Sequence, residues 1–161
     1  MEKSFAVIGV GNPFRGDDGI GVFLIHELMH NNNFLKESVE LIDGGTGGMN
    51  LFHLISSYET VFLIDAVDFH ASAGEYILFS FEEIGSSNKV SSTVSTHGED
   101  VFSILKNVKK YNDSPPRMFI FGIQPKRIEL SEDFSQEIQK NIPVYLREIT
   151  KHVGEKLREL N

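Results

Sequence analysis

The chain has 161 residues, of which 40% are hydrophobic and 24% are charged, a composition that excludes disordered, collagen-like and coiled-coil proteins. Lysine and arginine number 15 against 23 aspartates and glutamates, and the net charge of −8 disfavours binding to a nucleic-acid backbone. The absence of cysteine excludes disulfides, thiolate nucleophiles and zinc–thiolate sites. Any metal ion would therefore be bound by carboxylate, imidazole or backbone oxygen groups.

The length favours one domain over residues 1–161. The apolar run that follows residue 4 is too short for the core of a signal peptide. No apolar run reaches the roughly 20 residues that a membrane-spanning helix needs. We therefore expect a cytoplasmic protein that does not associate with membranes. We also expect a monomer, because the apolar face of the predicted terminal helix is needed to cover the protein's own sheet.

Short apolar strands alternate with helical patterns in the first part of the chain. The strands are continuous apolar runs, as expected for a parallel sheet that is buried on both faces. They cover residues 5–10, 39–42 and 61–64. Residues 19–30 and 49–57 carry apolar side chains at helical spacing and predict helices between these strands.

The second part of the chain begins with residues 75–81, whose alternation predicts a partly exposed antiparallel edge strand. The serine-rich residues 86–95 lack periodicity, which indicates a mobile loop. Residues 96–99 have the spacing of a capping box and predict the start of a helix. Residues 118–123 are the last apolar run that is typical of a buried strand.

From Ser131 onward, apolar side chains recur every three or four positions and predict a long terminal helix. Pro143 should kink or split this helix, since proline disrupts the helical hydrogen bonds. The alternation of strands and helices predicts an α/β three-layer sandwich. Its sheet is a mostly parallel, twisted five-stranded sheet with one antiparallel edge strand and with helices on both faces.

Acidic residues follow the first three predicted strands. Asp17 and Asp18 lie in the loop after the first strand, while Asp43 follows the second strand and Asp65 follows the third. Because ligands of open α/β sheets bind at the carboxyl ends of the strands, we expect these four carboxylates to converge there. Their mutual repulsion favours a bound cation or acid–base chemistry. Each aspartate alone is equally well explained as a turn or helix-capping residue, Asp17 above all.

His97 stands at the predicted start of a helix, where the helix dipole favours a neutral imidazole. If this helix follows its strand in the usual crossover, His97 reaches the same sheet edge as Asp18 and Asp65. Two carboxylates and one imidazole suit a divalent metal such as nickel or zinc. A single histidine is, however, more often a capping or surface residue than a metal ligand.

Residues 26–30, HELMH, satisfy the zinc-protease pattern of two histidines with a glutamate between them. On a helical wheel, His26 and His30 lie opposite a broad apolar arc, so we expect both rings to face solvent. No third ligand follows at the spacing of the extended motif. A zinc protease built on these two histidines is therefore a minor alternative.

Five segments occur together in one order along nearly the whole chain. They are residues 9–21 (GVGNPFRGDDGIG), residues 43–46 (DGGT), Asp65 with Ala66, His97 at a helix start, and residues 122–125 (GIQP). In this combination they resemble the nickel-iron hydrogenase maturation endopeptidases. The resemblance implies a peptidase that removes the C-terminal extension of a hydrogenase large-subunit precursor after nickel insertion.

By position, the resemblance implies that Asp18, Asp65 and His97 bind the metal and act in catalysis. Some family members carry glutamate where Asp18 stands, and aspartate keeps the charge and the oxygen ligand. The metal is then nickel supplied by the substrate, while zinc or cadmium can occupy the site in vitro. Nickel would polarise the scissile carbonyl or activate a water, with a carboxylate as the base.

The resemblance also assigns a substrate cleft, formed by Asp43, Gly44, Gly45 and Thr46. A flexible turn followed by a helix cap explains these residues equally well. A second function stays open, because no serine, cysteine or lysine nucleophile is arranged for catalysis. It is a non-catalytic, nickel-dependent binding module or chaperone for the same precursor.

Overall fold

A computed structural model describes residues 4–83, 94–95 and 100–161. The strands are β1 (Phe5–Gly9), β2 (Glu40–Asp43), β3 (Thr60–Asp68), β4 (Tyr76–Ser80), β5 (Val94–Ser95) and β6 (Arg117–Ile123). Five of them form the main sheet in the order β2-β1-β3-β6-β4. All neighbours are parallel except β4, which is antiparallel to β6 at the edge. The predicted sheet is therefore confirmed, with β5 added as a short antiparallel partner of β3.

Helices cover both faces of this sheet. They are α1 (Ile20–Asn31), α2 (Asn33–Ser38), α3 (Met49–Ser56), α4 (Asp100–Tyr111), α5 (Gln136–Gln139) and α6 (Ile142–Leu160). Apolar side chains of α1, α2, α5 and α6 form one core with the sheet, and those of α3 and α4 form a second core on the other face. The three-layer prediction is confirmed. Among the residues that the structure describes, no helix has the length and apolar character needed to cross a membrane.

The central strand β3 is buried on both faces, as the helical layers require. Phe62 and Ile64 belong to the core under α1 and α6, whereas Leu63 and Val67 belong to the core under α3 and α4. Because side chains alternate along a strand, Asp65 projects on the same side as Leu63 and Val67. A carboxylate therefore occupies a buried position of the central strand, on the face that α4 covers.

The prediction that the third strand ends before Asp65 is wrong. Asp65 pairs with Gly122 of β6 and the next residue, Ala66, pairs with Ile123, so the ladder continues past the aspartate. β3 ends at Asp68. A carboxylate after an apolar run suggests that the strand has ended. Here the pairing with β6 extends β3 beyond Asp65.

The terminal helix is split, as predicted from Pro143. A short helix, α5, precedes α6, and Pro143 lies in the first turn of α6, where a missing N–H is tolerated. The predicted helical start at Ser131 is wrong, because residues 131–135 form hydrogen bonds with the first loop of the chain instead. Of the predicted mobile loop 86–95, residues 94–95 form β5, and residues 86–93 lie outside the described residues, as does the predicted capping box at 96–99.

The start of α1 lies so close to the sheet that only glycine fits at Gly21. A Cβ atom on Gly21 would lie 2.3 Å from the carbonyl oxygen of Ile64 and 2.4 Å from that of Val10. We expect Gly21→Ala to lower the free energy of unfolding by about 1–3 kcal/mol, since neither backbone can yield easily. Urea denaturation followed by circular dichroism measures this change.

Gly154 in α6 provides the matched control for that substitution. A Cβ atom there would have a guanidinium nitrogen of Arg158, at 3.8 Å, as its nearest neighbour. Gly154→Ala should therefore raise the free energy of unfolding by about 0.5–1 kcal/mol through helix propensity alone. Equal stabilisation by both substitutions would contradict the close approach at Gly21.

Candidate active site

Asp17 is fully buried and binds the segment that precedes α5. Its Oδ1 accepts the backbone N–H of Ser135 at 2.7 Å, and its Oδ2 accepts the Ser135 hydroxyl at 2.8 Å. Oδ2 also accepts the backbone N–H groups of Lys126 and Arg127, at 2.9 and 3.1 Å. The interpretation of Asp17 as a helix cap is therefore wrong, because its carboxylate joins the first loop to residues 126–135.

Asp18, the next residue, is also fully buried, in the 3-10 helix Gly16–Gly19 that packs against β3. Its Oδ2 accepts the backbone N–H of Asn12 at 3.0 Å, which folds the loop back on itself. A Cβ atom on Gly11 would lie 2.1 Å from the Asp18 carbonyl oxygen, and the φ of Gly11 is +152°. The loop can thus close around Asp18 only because residue 11 is glycine.

Asp65 lies at the same carboxyl edge of the sheet as Asp18 and is fully buried. The carbonyl of Ile64, directly before it, accepts the backbone N–H of Val10 at 2.9 Å, at the point where the chain leaves β1 for the loop that holds Asp18. The helical turn that carries Asp18 contacts β3 itself. The structure therefore brings two of the predicted site residues to one region of the sheet edge.

His97, the third predicted site residue, lies outside the described residues. The helix α4 begins at Asp100 and covers the face of the sheet on which Asp65 lies. Within residues 4–83 and 100–161, no cluster of three or more histidine, aspartate or glutamate side chains could hold a metal ion. A three-ligand site that includes Asp18 and Asp65 therefore needs a ligand from outside these ranges.

Asp43 is exposed and does not join the two buried carboxylates. It pairs with Gly9 of β1, and Gly9 pairs with Ile64 of β3, so two strand spacings of about 4.8 Å separate Asp43 from β3, about 10 Å in all. With Asp17 bound to residues 126–135, the predicted convergence of four carboxylates is wrong. Strand order explains the error, because β2 is an edge strand and β1 lies between it and β3.

The glycine-rich loop after β2 is held on one side and open on the other. Gly44 donates its N–H to the Gly9 carbonyl, and the Gly45 carbonyl accepts the N–H of Gly11, both at 2.8 Å. A Cβ atom on Gly45 or Gly48 would meet no atom within 4 Å. Thr46 is exposed in the same loop. The residues predicted to form a cleft thus lie beside the loop that carries Asp18, with free space on their outer side.

His26 and His30 are both exposed on α1, which confirms the expectation from the helical wheel. Nε2 of His26 lies 2.8 Å from Oδ2 of Asp43. Nδ1 of His30 lies 2.6 Å from the backbone carbonyl oxygen of His26. The two rings thus have different partners, and the described residues provide no three-ligand cluster around them. The contact between His26 and Asp43 was not predicted from the sequence.

Gln124 holds the exit of β3 against the end of β6, a role that the sequence does not reveal. Its side-chain oxygen accepts the backbone N–H groups of Phe69 and Ala71, at 2.9 and 3.2 Å. Its side-chain nitrogen donates to Oδ1 of Asp68 at 3.2 Å. Gln124 therefore fixes the chain from Asp68 onward, beginning three residues after Asp65.

A cavity of about 420 Å³ lies beyond the end of β3, between the start of β4 and the start of α6. In its wall, the Tyr145 hydroxyl donates to the carbonyl of Gly74 at 2.5 Å. Burial raises the pKa of Tyr145 to about 12, so this phenol is a neutral donor at physiological pH. The cavity is lined by Phe69, Ala73, Gly74, Glu75, Tyr76, Lys140, Asn141, Val144 and Tyr145.

Comparison with known proteins assigns this arrangement to a family. A family model described as hydrogenase maturation protease matches residues 22–152. The chain belongs to the hydrogenase maturation protease family. The matched range includes Asp43, Asp65 and His97, whereas Asp18 lies before it.

Individual relatives agree with this assignment. The hydrogenase expression/formation protein HupD of Rhodobacter capsulatus is 29% identical over 96% of this chain and 70% of its own length. The hydrogenase 2 maturation protease of Escherichia coli K12 is 28% identical over 76% of this chain and 74% of its own length. The protein is thus a peptidase by family, in agreement with the function expected from its motifs.

Solved structures of this family share the fold. The hydrogenase maturating endopeptidase HybD from Escherichia coli superposes with a TM-score of 0.76 at 22% identity, over 94% of this chain and 93% of that one. The [NiFe] hydrogenase maturation protease HycI from Thermococcus kodakarensis gives a TM-score of 0.69 at 23% identity, over 92% and 91% of the two chains. At these identities the likeness concerns the fold.

Proposed function

We propose that this hydrogenase maturation protease removes the C-terminal extension of a nickel-iron hydrogenase large-subunit precursor after nickel insertion. It acts as a monomer in the cytoplasm. The observation that carries this proposal is the burial of two carboxylates, Asp18 and Asp65, in one region of the sheet edge. Two carboxylates that are buried in one region of the sheet edge repel each other, and a bound cation or a shared proton would offset this repulsion. A divalent metal brought by the substrate is such a cation.

The proposed ligands are Asp18, Asp65 and His97. Two carboxylate oxygens with one imidazole nitrogen suit nickel and zinc better than calcium or magnesium, which prefer all-oxygen sites. Cadmium and zinc would bind to the same donors in vitro. Nickel is part of the substrate in this proposal, so the ligands act as a test of whether the precursor has received its metal.

When bound, nickel would act as a Lewis acid at the site. The other steps of the reaction depend on residues of this chain. A carboxylate of Asp18 or Asp65 accepts the proton of the attacking water as general base and returns it to the amine that leaves when the peptide C–N bond breaks. Asp43, Gly44, Gly45 and Thr46 form one wall of the cleft, where open space beside the glycines admits the precursor backbone.

The test compares nickel-loaded with nickel-free precursor, each incubated with the wild type and with His97→Ala. With the wild type, we expect only the nickel-loaded precursor to lose the mass of its extension. Only the loaded form offers the metal that the three ligands bind. His97→Ala should keep its circular dichroism spectrum and lose cleavage by about 100-fold or more, as expected for loss of a catalytic group. His53→Ala, an exposed histidine of α3, is the matched control and should cleave normally.

Three results would contradict parts of this proposal. Equal cleavage of nickel-free precursor by the wild type would show that nickel is not recognised. Tight binding of loaded precursor without any change in its mass would favour the non-catalytic binding module or chaperone. Normal cleavage by folded His97→Ala would remove His97 from the ligand set.

A further inference from the structure

A hydrogen bond joins the exposed face of α1 to the end of β2, at the outer side of the candidate cleft. Nε2 of His26 lies 2.8 Å from Oδ2 of Asp43, and the two side chains are 48% and 39% exposed. Oδ1 of Asp43 accepts the backbone N–H of Gly45 at 2.8 Å. One carboxylate oxygen of Asp43 thus contacts His26 of α1, while the other binds the backbone of the glycine-rich loop.

These contacts continue to the loop that carries Asp18. The carbonyl of Gly45 accepts the N–H of Gly11 at 2.8 Å. Gly11 in turn lies directly against the backbone of Asp18, so close that a Cβ atom would reach the carbonyl oxygen. A continuous series of contacts therefore runs from His26 through Asp43 and Gly45 to the backbone of Asp18.

The glycine-rich loop needs such support because of its backbone. Gly45, Gly47 and Gly48 have φ angles of +62°, +96° and +87°. Glycine is free to leave these conformations, and the loop has little side-chain packing of its own to restrain it. His30, one turn further along α1, contacts the backbone carbonyl oxygen of His26 within its own helix. The two histidines of the HELMH segment therefore differ in their contacts, because His26 joins α1 to the end of β2 and His30 contacts its own helix.

We propose that His26 is a positioning residue for recognition of the precursor. By holding Asp43, it keeps the backbone of residues 44–48 in the conformation that receives the substrate chain. This inference rests on the proposed function, in which that loop forms a wall of the cleft. Asp43 is about 10 Å from β3, two strand spacings away, and the series of contacts reaches the backbone of Asp18 but not its carboxylate. We therefore expect the effect on substrate binding and not on the bond-breaking step.

Steady-state cleavage of nickel-loaded precursor by four proteins tests this role. They are the wild type, His26→Leu, His26→Gln and the matched control His30→Leu. We expect His26→Leu to raise KM about threefold to fivefold and to leave kcat nearly unchanged, the scale expected for one exposed polar contact. His26→Gln should restore most of the affinity, because its amide nitrogen can donate from nearly the same place as Nε2. His30→Leu should behave as the wild type.

Hydrogen exchange of the Gly45 amide gives a readout that does not depend on cleavage. We expect exchange to be about threefold to fivefold faster in His26→Leu than in the wild type and His30→Leu, because the carboxylate that accepts this N–H is no longer held. Unchanged exchange and unchanged KM, with normal cleavage by the wild type, would overturn the positioning role alone. A fall in kcat at constant KM would overturn the recognition role. Failure of the wild type to cleave any loaded precursor would overturn the proposed function instead, and the exchange rates would still decide whether His26 holds the loop.

Discussion

Replacement of Asp65 by asparagine is expected to abolish cleavage of the nickel-loaded precursor without unfolding the protein. Asparagine has nearly the same shape, and the backbone of residue 65 keeps its pairing with Gly122. The amide, however, neither accepts a proton as a base nor binds a metal with a negative charge. We expect kcat to fall about 100-fold to 10,000-fold, the range for loss of a general acid or base. The rate of product formation, followed by mass, measures this change.

The stability of the same variant separates function from structure. Since burial of a carboxylate is costly, Asp65→Asn should unfold at the same urea concentration as the wild type or at a higher one. Asp113→Asn is the matched control, because Asp113 is exposed in the loop before β6, at the opposite edge of the sheet. Turnover of Asp65→Asn at the wild-type rate would exclude Asp65 from the chemistry. Unfolding of this variant at low urea would show that the charge supports the strand.

Most of the fold follows from apolar periodicity, and its errors have definite causes. The apolar runs that form β1 and β6 are buried on both faces of the sheet. Their continuous apolar sequence therefore predicts buried strands directly. In β3 the pattern fails at Asp65, because one buried carboxylate resembles the end of a strand. At 131–135 it fails because Phe134 has helical spacing to Ile138, while the backbone of Ser135 is bound to Asp17.

The candidate site was predictable where it depends on strand ends. Asp18 follows β1, and Asp65 lies one position beyond the last residue of β3 that pairs with β1, so topology places both at one edge of the sheet. The partner of His26 was not predictable, because a helical wheel shows which side of α1 faces solvent and not which strand end lies beside it. The placement of His97 stays a prediction, since it lies outside the described residues.

Replacement of Asp17 by asparagine should have the opposite effect to Asp65→Asn and destabilise the whole protein. Four hydrogen bonds from residues 126–135 converge on the Asp17 carboxylate, which is fully buried. An amide keeps one acceptor oxygen, but in either orientation its NH₂ group would face at least one backbone N–H donor. We expect the free energy of unfolding to fall by about 3–5 kcal/mol, because several buried donors lose a charged acceptor together. Urea denaturation measures this loss.

Asp133→Asn is the matched control for this variant, because Asp133 is exposed in the same segment and should tolerate the change. An unchanged unfolding midpoint for Asp17→Asn would contradict the role assigned to its four hydrogen bonds. The carboxylate also holds the loop from which Asp18, the next residue, is placed against β3. Asp17→Asn should therefore lose cleavage and stability together, and stabilising osmolytes should restore part of both. Asp65→Asn should keep its stability, and osmolytes should not restore its cleavage, because that variant lacks a reacting group and not a structural contact.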